Sequence, residues 1–346
     1  MAQYPNYGSN TGFQKWIFPA LVVLLVIVIG IAVILFNPFK KSSASSDYGS
    51  QSQGRETTAG LTPSSLLTSG SAPVQPTIEP NMPRAVQLAA STNPEADKLI
   101  KEALAVINAQ PSLVIEARQK LNKVLALPIS SDQQKLVKDQ LAGLADKWLF
   151  SKSIFSDDKL CSSYKVKSGD RLASIAQQYK VPYEILMQIN NIPRPEALQA
   201  GGNIKVINGP FQVKVYRSTY TMDLYLQNTF VKSFKIGIGK PGRETPTGLW
   251  IVQSGGKMIQ PRWTDPDTGR TYEATDPDYP LGSRWIALEG IEGEAKGRTG
   301  FAIHGTKVPD EIGSATSRGC IRMYNGEVIT MYNLLVPTYS KVEVVD

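Results

Sequence analysis

The chain has 346 residues, a formal charge of +7 and a pI near 9.2, a length that suits two or three domains. Two cysteines, Cys161 and Cys320, and a single histidine, His304, exclude a disulfide framework, a thiolate-rich zinc site and any metal centre built on several imidazoles. The basic balance suits an anionic surround such as a membrane surface. No stretch interleaves clustered Lys and Arg with aromatics, so nucleic acid is not an expected partner.

Residues 1–15 are a short N-terminal tail. From Trp16 to Phe39 there is no charged residue, and Ile17 to Phe36 is nearly continuous Leu, Val, Ile and Ala. About 20 apolar residues at a 1.5 Å rise cross roughly 30 Å of hydrocarbon. The run exceeds the about 7–15 residues of a cleaved signal's apolar region, and no clear A-x-A follows it. Residues 16–39 are therefore expected to be an uncleaved transmembrane helix. Lys40 and Lys41 follow the span and only Lys15 precedes it, a small imbalance that on its own would put the bulk of the chain in the cytoplasm.

Residues 40–92 are rich in Ser, Thr, Pro, Gly and Gln without apolar periodicity and read as a disordered linker. About 50 such residues have an r.m.s. span of roughly 40 Å. In 93–155 the pattern turns helical: Leu99, Ala103, Val106 and Ile107, then Val114, Ala117, Leu121, Val124 and Leu125, then Leu136, Leu141, Leu144 and Trp148. Asn93 before Pro94 has the form of an N-cap followed by Pro at the first helical position. Pro111 and Pro128 divide the segment into three helices. It resembles a small tetratricopeptide-type unit and is expected to be a helical spacer, with a partner-binding surface as the alternative and no partner identified.

Residues 163–208 open on the alternating strand Tyr164–Lys167 and the turn Ser168-Gly169-Asp170. A helix with Leu172, Ile175, Ala176 and Tyr179 on one face follows, then a break at Val181-Pro182 and a second helix with Ile185, Leu186 and Ile189. Asn190 and Asn191 end that helix, and Gly201-Gly202-Asn203 leads into the strand Ile204–Ile207. The Y-x-V-x-x-G-D opening, L-x-x-I-A, the N-N pair and the late Gly resemble the lysin-motif (LysM) domain. The resemblance implies a small α+β fold, strand–helix–helix–strand, that binds N-acetylglucosamine-containing glycans such as peptidoglycan. Cys161, just upstream, reads as a free structural thiol.

Residues 211–346 read mainly as strands: Gln212–Arg217, Thr221–Gln227, Val231–Ile236, Gly248–Gln253, Ser283–Leu288, Gly300–Ile303 and Lys341–Val345, with one helix over Asn325–Leu335. The expected architecture is a β-sandwich or open barrel. Residues 254–300 carry Trp263, Tyr272, Tyr279 and Trp285 among many Gly, Pro and Asp, a composition that fits either a lid or a solvent loop.

Chemistry concentrates in Phe301-Ala302-Ile303-His304-Gly305-Thr306 and Ser317-Arg318-Gly319-Cys320-Ile321-Arg322. A thiol of ordinary pKa, about 8.5, is a poor nucleophile, and a neighbouring imidazole can take its proton. Gly319 permits close approach of substrate to the backbone. By itself a Cys and a His separated by sixteen positions is a weak signal. The H-G-x and S-x-G-C-I-R stretches resemble the L,D-transpeptidase catalytic domain. Gly237-Ile238-Gly239, Thr245-Pro246-Thr247-Gly248-Leu249-Trp250 and Pro280-Leu281-Gly282 resemble that family's upstream elements.

That resemblance implies an enzyme that works on peptidoglycan stem peptides without metal or cofactor. Cys320 would attack the carbonyl of the third stem residue, with His304 as base, the Gly305 carbonyl orienting the imidazole, and backbone N–H groups near Gly319 and Cys320 holding the oxyanion. An amine from a second stem would then take the acyl group, giving a 3→3 cross-link. Carbapenems would acylate the same sulfur. Arg322, Arg318, Ser317 and Thr306 are the candidate substrate-binding residues; Arg322 reads equally well as half of a structural ion pair, and Ser317 as a brace for the turn. Many family members have a second histidine where this chain has Arg318. Water in place of the amine would give an L,D-carboxypeptidase, and the LysM-like module alone would give a non-catalytic wall-binding protein. With the apolar run as anchor, the expected location is the bacterial inner membrane, and both resemblances imply that the folded part faces the periplasm or wall, against the charge count around the span.

Overall fold

The computed structural model describes residues 93–109 and 112–346. The transmembrane helix expected at 16–39 and the linker at 40–92 lie outside the described residues. Among the described residues no helix is long and apolar enough to cross a membrane.

Three helices come first: α1 (Pro94–Ala109), α2 (Val114–Val124) and α3 (Ser131–Trp148). Asn93 Oδ1 accepts the N–H groups of Glu95 and Ala96 at 3.1 and 3.2 Å, which satisfies two of the donors a helix start leaves open. At α3, Ser130 and Gln133 form a reciprocal capping box. The buried stripe of α1 is Ala96, Ile100 and Ala103 rather than Leu99 and Val106, and α3 buries Val137 rather than Leu136. Adjacent apolar residues leave the phase of a helical stripe ambiguous by one position, about 100° of rotation, and packing decides it.

The next module is β1 (Cys161–Lys165), α4 (Leu172–Gln178), α5 (Tyr183–Asn190) and β2 (Asn203–Ile207), with β1 and β2 antiparallel. Its first strand begins three residues earlier than expected: Cys161 pairs with Ile207 and is buried. Asn191 ends α5 in the left-handed conformation, φ 56°. Buried Asn190 uses its whole amide, donating to the Leu186 and Lys205 carbonyls at 2.9 and 2.8 Å and accepting the Lys205 N–H at 2.7 Å. It ties the helix end to β2.

Strands β3 (Phe211–Tyr216), β4 (Thr221–Leu226), β5 (Thr229–Lys235), β6 (Ile238–Gly239), β7 (Gly248–Met258), β8 (Trp263–Thr264), β9 (Thr271–Tyr272), β10 (Trp285–Glu292), β11 (Phe301–His304), β12 (Ala315–Ser317) and β13 (Ile321–Arg322) follow, then helix α6 (Asn325–Leu334) and β14 (Lys341–Val345). One eight-stranded sheet has the order β13-β11-β10-β7-β14-β3-β4-β5, while β12-β6 and β8-β9 are separate two-stranded pieces. Pairs β11–β13 and β14–β3 are parallel and the other pairs of this sheet antiparallel. Of the two architectures expected, this is the open one: a single mixed sheet rather than two facing sheets. The stretch 254–300 is not one loop, because β7 runs on to Met258 and β10 lies inside it.

The helical segment packs against the eight-stranded sheet and the β1–β2 module instead of standing apart as a spacer. Strand β5 is a sheet edge, and an open edge leaves N–H groups unpaired. Asn122 on α2 accepts the Phe230 N–H at 2.9 Å, and Lys138 on α3 reaches fully buried Asp223 at 2.6 Å. Toward the other module, Arg118 pairs with buried Asp158 at 3.0 Å and lies over the Trp148 ring. Lys205, buried in β2, donates to the carbonyls of Trp148 and Ser151.

Candidate active site

His304 is the last residue of β11, and Cys320 immediately precedes β13. The parallel register pairs Ile303 with Ile321 and His304 with Arg322. Cys320 therefore comes alongside Ala302. Because side chains alternate along a strand, Ala302, His304, Cys320 and Arg322 share one face. Cys320 and His304 both line a cavity of about 460 Å³, whose wall also includes Lys240, Trp263, Asp265, Asp267, Leu281, Trp285 and Arg318.

The imidazole is fixed on two sides. His304 Nδ1 lies 2.6 Å from the Gly305 carbonyl. A carbonyl only accepts, so Nδ1 carries the hydrogen and donates it, and Nε2 is the nitrogen left to act as the base. The Trp285 ring, opposite His304 in the β10–β11 register, stacks on it with centroids 5.6 Å apart. Burial pushes the His304 pKa down to about 4, against the opposing pull of the Gly305 carbonyl. Burial also pushes the Cys320 thiol up, with the Ala302 backbone and the Arg322 guanidinium opposing. The resting pair is thus a neutral imidazole and a neutral thiol at pH 7. The proton must move when substrate arrives, as in general-base catalysis.

The turn before the sulfur is braced from within and from behind. Ser317 Oγ donates to the Cys320 carbonyl at 2.6 Å and accepts the Gly319 N–H at 3.1 Å. Ser317 is buried and acts as a brace, and the Gly319 N–H is already used, so it is not a free oxyanion donor. Gly319 has φ +117°, and a Cβ there would lie 2.7 Å from the Phe301 ring. Thr245 Oγ1 donates to the Gly319 carbonyl at 2.8 Å and accepts the Gly239 N–H at 3.1 Å. On the histidine side, Asn325 accepts the Ser283 N–H at 3.0 Å and donates to the Thr306 carbonyl at 2.9 Å. A Cβ on Gly305 would collide with that Asn325 side chain.

The remaining candidates have partners within the chain. Arg322 lines the cavity but pairs with Glu311. Arg318 pairs with Asp265 at 3.1 Å and Asp267 at 2.7 Å. Thr306 is buried, and its hydroxyl accepts the Val308 N–H at 3.0 Å; it holds the loop after His304 and is not among the residues lining the cavity. Residues that reading the sequence missed are Trp285, Thr245, Asn325 and the Asp265–Asp267 pair. Thr245 stood inside a recognised stretch, and Trp285 lies three residues after Gly282. Nothing local marked Asp265, whose role depends on a contact with Arg318, 53 positions away.

The sequence family described as the L,D-transpeptidase catalytic domain matches residues 210–344, and the LysM domain family matches residues 164–206. The chain is 30% identical over 189 residues to a Bacillus subtilis protein named as an L,D-transpeptidase, YkuD, covering 53% of this chain and 98% of that one. It is 35% identical over 127 residues to ErfK/SrfK of Escherichia coli, also named as an L,D-transpeptidase, covering 34% and 37% of the two chains. Among solved structures, the catalytic domain of the E. faecium L,D-transpeptidase aligns with a TM-score of 0.30 and 21% identity, over 39% of this chain and 95% of that one. With nearly the whole of a 30% identical relative covered, the chain belongs to the L,D-transpeptidase family.

Proposed function

We propose that this protein is a membrane-tethered peptidoglycan L,D-transpeptidase that forms 3→3 cross-links through a thioester on Cys320. The observation that carries the reading is the His304 Nδ1–H bond to the Gly305 carbonyl at 2.6 Å. It leaves Nε2 as a base on the sheet face that also bears Cys320.

In the first half-reaction Cys320 attacks the carbonyl of the third stem residue and His304 takes the thiol proton. His304 then returns a proton to the departing D-alanine amine. With the Gly319 N–H bound to Ser317, the Cys320 N–H is the donor at that corner for the oxyanion. In the second half-reaction an amine from another stem takes the acyl group. The LysM domain holds the enzyme on glycan strands. The run from Trp16 to Phe39 anchors it in the bacterial inner membrane, and because both domains act on the wall, they face the periplasm or wall despite Lys40 and Lys41.

The test is mass analysis of products made by the full chain, in detergent micelles, from disaccharide tetrapeptides. Cross-linked dimers joined between third residues, with loss of D-alanine, are expected. Tripeptide alone would make the protein an L,D-carboxypeptidase, and no turnover would remove the enzymatic reading.

A further inference from the structure

One wall of the cavity is the β8–β9 hairpin, with Trp263 at its base and Asp265, Pro266 and Asp267 at its tip. The hairpin is not a strand of the eight-stranded sheet, and an isolated two-stranded piece is only marginally stable in water. What fixes it must be side-chain tethers. At the base, Tyr279 donates from its hydroxyl to the Pro261 carbonyl at 2.6 Å. At the tip, Asp265 is nearly buried and accepts the N–H groups of Asp267 and Thr268 at 2.8 and 3.3 Å, so the tip is internally built. Two guanidiniums grip that tip. Arg318 reaches Asp265 at 3.1 Å and Asp267 at 2.7 Å, and Arg243 holds both oxygens of Asp267 at 3.0 Å. Arg318 is two residues before the nucleophile, so the turn that presents the sulfur also holds the wall above it.

We propose that Arg318 is a positioning residue that latches the hairpin over the acyl-enzyme and so sets how the acyl group divides between an amine and water. The inference rests on the transpeptidase reading above. In aminolysis the acceptor nitrogen attacks the thioester carbonyl; a C–N bond forms, the C–S bond breaks, and the amine proton passes through His304 to the Cys320 sulfur. In hydrolysis a water oxygen forms the new bond and the products are a stem carboxylic acid and the free thiol. Both routes start from the same thioester. A seated wall keeps bulk water from its carbonyl while the acceptor stem enters along the open side.

The experiment measures the ratio of cross-linked dimer to tripeptide made by the full chain in detergent micelles, with excess acceptor. Because both products come from one intermediate, the ratio does not depend on how fast that intermediate forms. In Arg318→Gln the ratio is expected to fall about tenfold, below the roughly 100-fold that a misplacement of about 1 Å can cost, with Arg318→Lys between wild type and Arg318→Gln. Asp267→Asn separates the latch from direct recognition of the acceptor, because it loosens the hairpin at Arg318 and Arg243 while leaving the Arg318 guanidinium in place, still paired with Asp265. A fall in the ratio supports the latch. A ratio at or above wild type in Asp267→Asn, or an unchanged ratio in Arg318→Gln, overturns it. Failure of the wild type to form any acyl-enzyme would instead remove the transpeptidase reading itself.

Discussion

The Trp285 indole lies against the His304 imidazole, ring centroids 5.6 Å apart and planes 18° from parallel. The stack adds to the burial that keeps the base neutral and gives a wall that holds its plane, while the Gly305 carbonyl fixes the tautomer. Trp285→Ala is expected to lower the acylation rate by about tenfold, the effect of misplacing a base rather than removing it. Trp285→Phe should keep most of the rate. Stopped-flow measurement of imipenem acylation checks this, and equal losses in the two variants would show that the stack does not position the ring.

The depressed His304 pKa has a consequence for pH. Between pH 6.5 and 4 the unfolded chain carries a proton on this histidine that the folded chain does not. Stability therefore rises with pH across that window, by up to about 1.4 kcal/mol per pH unit, and the contribution is lost as pH falls from 6.5 toward 4. Denaturant titrations should show a shallower dependence in His304→Gln over the same range. The acid limb of acylation should fall near pH 4 rather than 6.5. A limb at 6.5 would mean that the imidazole titrates freely in the folded protein.

Thr245 makes two buried hydrogen bonds behind the nucleophile, one to the Gly319 carbonyl and one from the Gly239 N–H. Thr245→Val keeps the shape and removes both, leaving buried polar groups unpaired, at a cost of about 1–3 kcal/mol. Because one of those groups belongs to the turn that carries Cys320, acylation should slow along with the loss of stability. Comparing unfolding midpoints with imipenem acylation rates tests it; a loss of stability with an unaltered rate would separate the brace from the chemistry.

The helical segment is expected to be part of the catalytic fold's stability. Asp223 is fully buried and Lys138 is its cationic partner, aided by Ser233 and Tyr225. Lys138→Ala removes that cation from a buried pair and should destabilise the protein by about 3 kcal/mol. The expected readout is a single cooperative unfolding transition at lower denaturant. Unchanged stability would return the segment to the role of a detached spacer.

What the sequence made legible follows from where each signal resides. The LysM strand–helix–helix–strand order and the strand that leads to His304 were readable because turn residues and alternation are local properties, whereas the two- and three-residue strands that flank Cys320 are too short to show alternation. Helix α6 ends within one residue of its expected limit at Leu335. The docking of α2 and α3 on strand β5 was not readable, since Asn122 and Phe230 are 108 positions apart and neither carries a local mark. At the site, the pair itself was legible from motif, but the state of its neighbours was not. Arg318 and Arg322 are candidate substrate-binding residues in the sequence, with a structural ion pair as the equal alternative for Arg322; in the fold Arg322 pairs with Glu311, and Arg318 pairs with Asp265. A charge in a motif announces that something opposite faces it; only the fold says whether that partner is ligand or protein.

Intact-protein mass measurement of the full chain after imipenem treatment most directly tests the proposed roles of Cys320 as nucleophile and His304 as its base. Cys161 is buried with its thiol pushed up to about 12, whereas Cys320 opens on the cavity. One adduct is expected on the wild type and on Cys161→Ala, and none on Cys320→Ala. His304→Ala should fold and react slower by about 100-fold or more, the loss of general-base help. An adduct that persists in Cys320→Ala, or that appears on Cys161, would contradict the assignment.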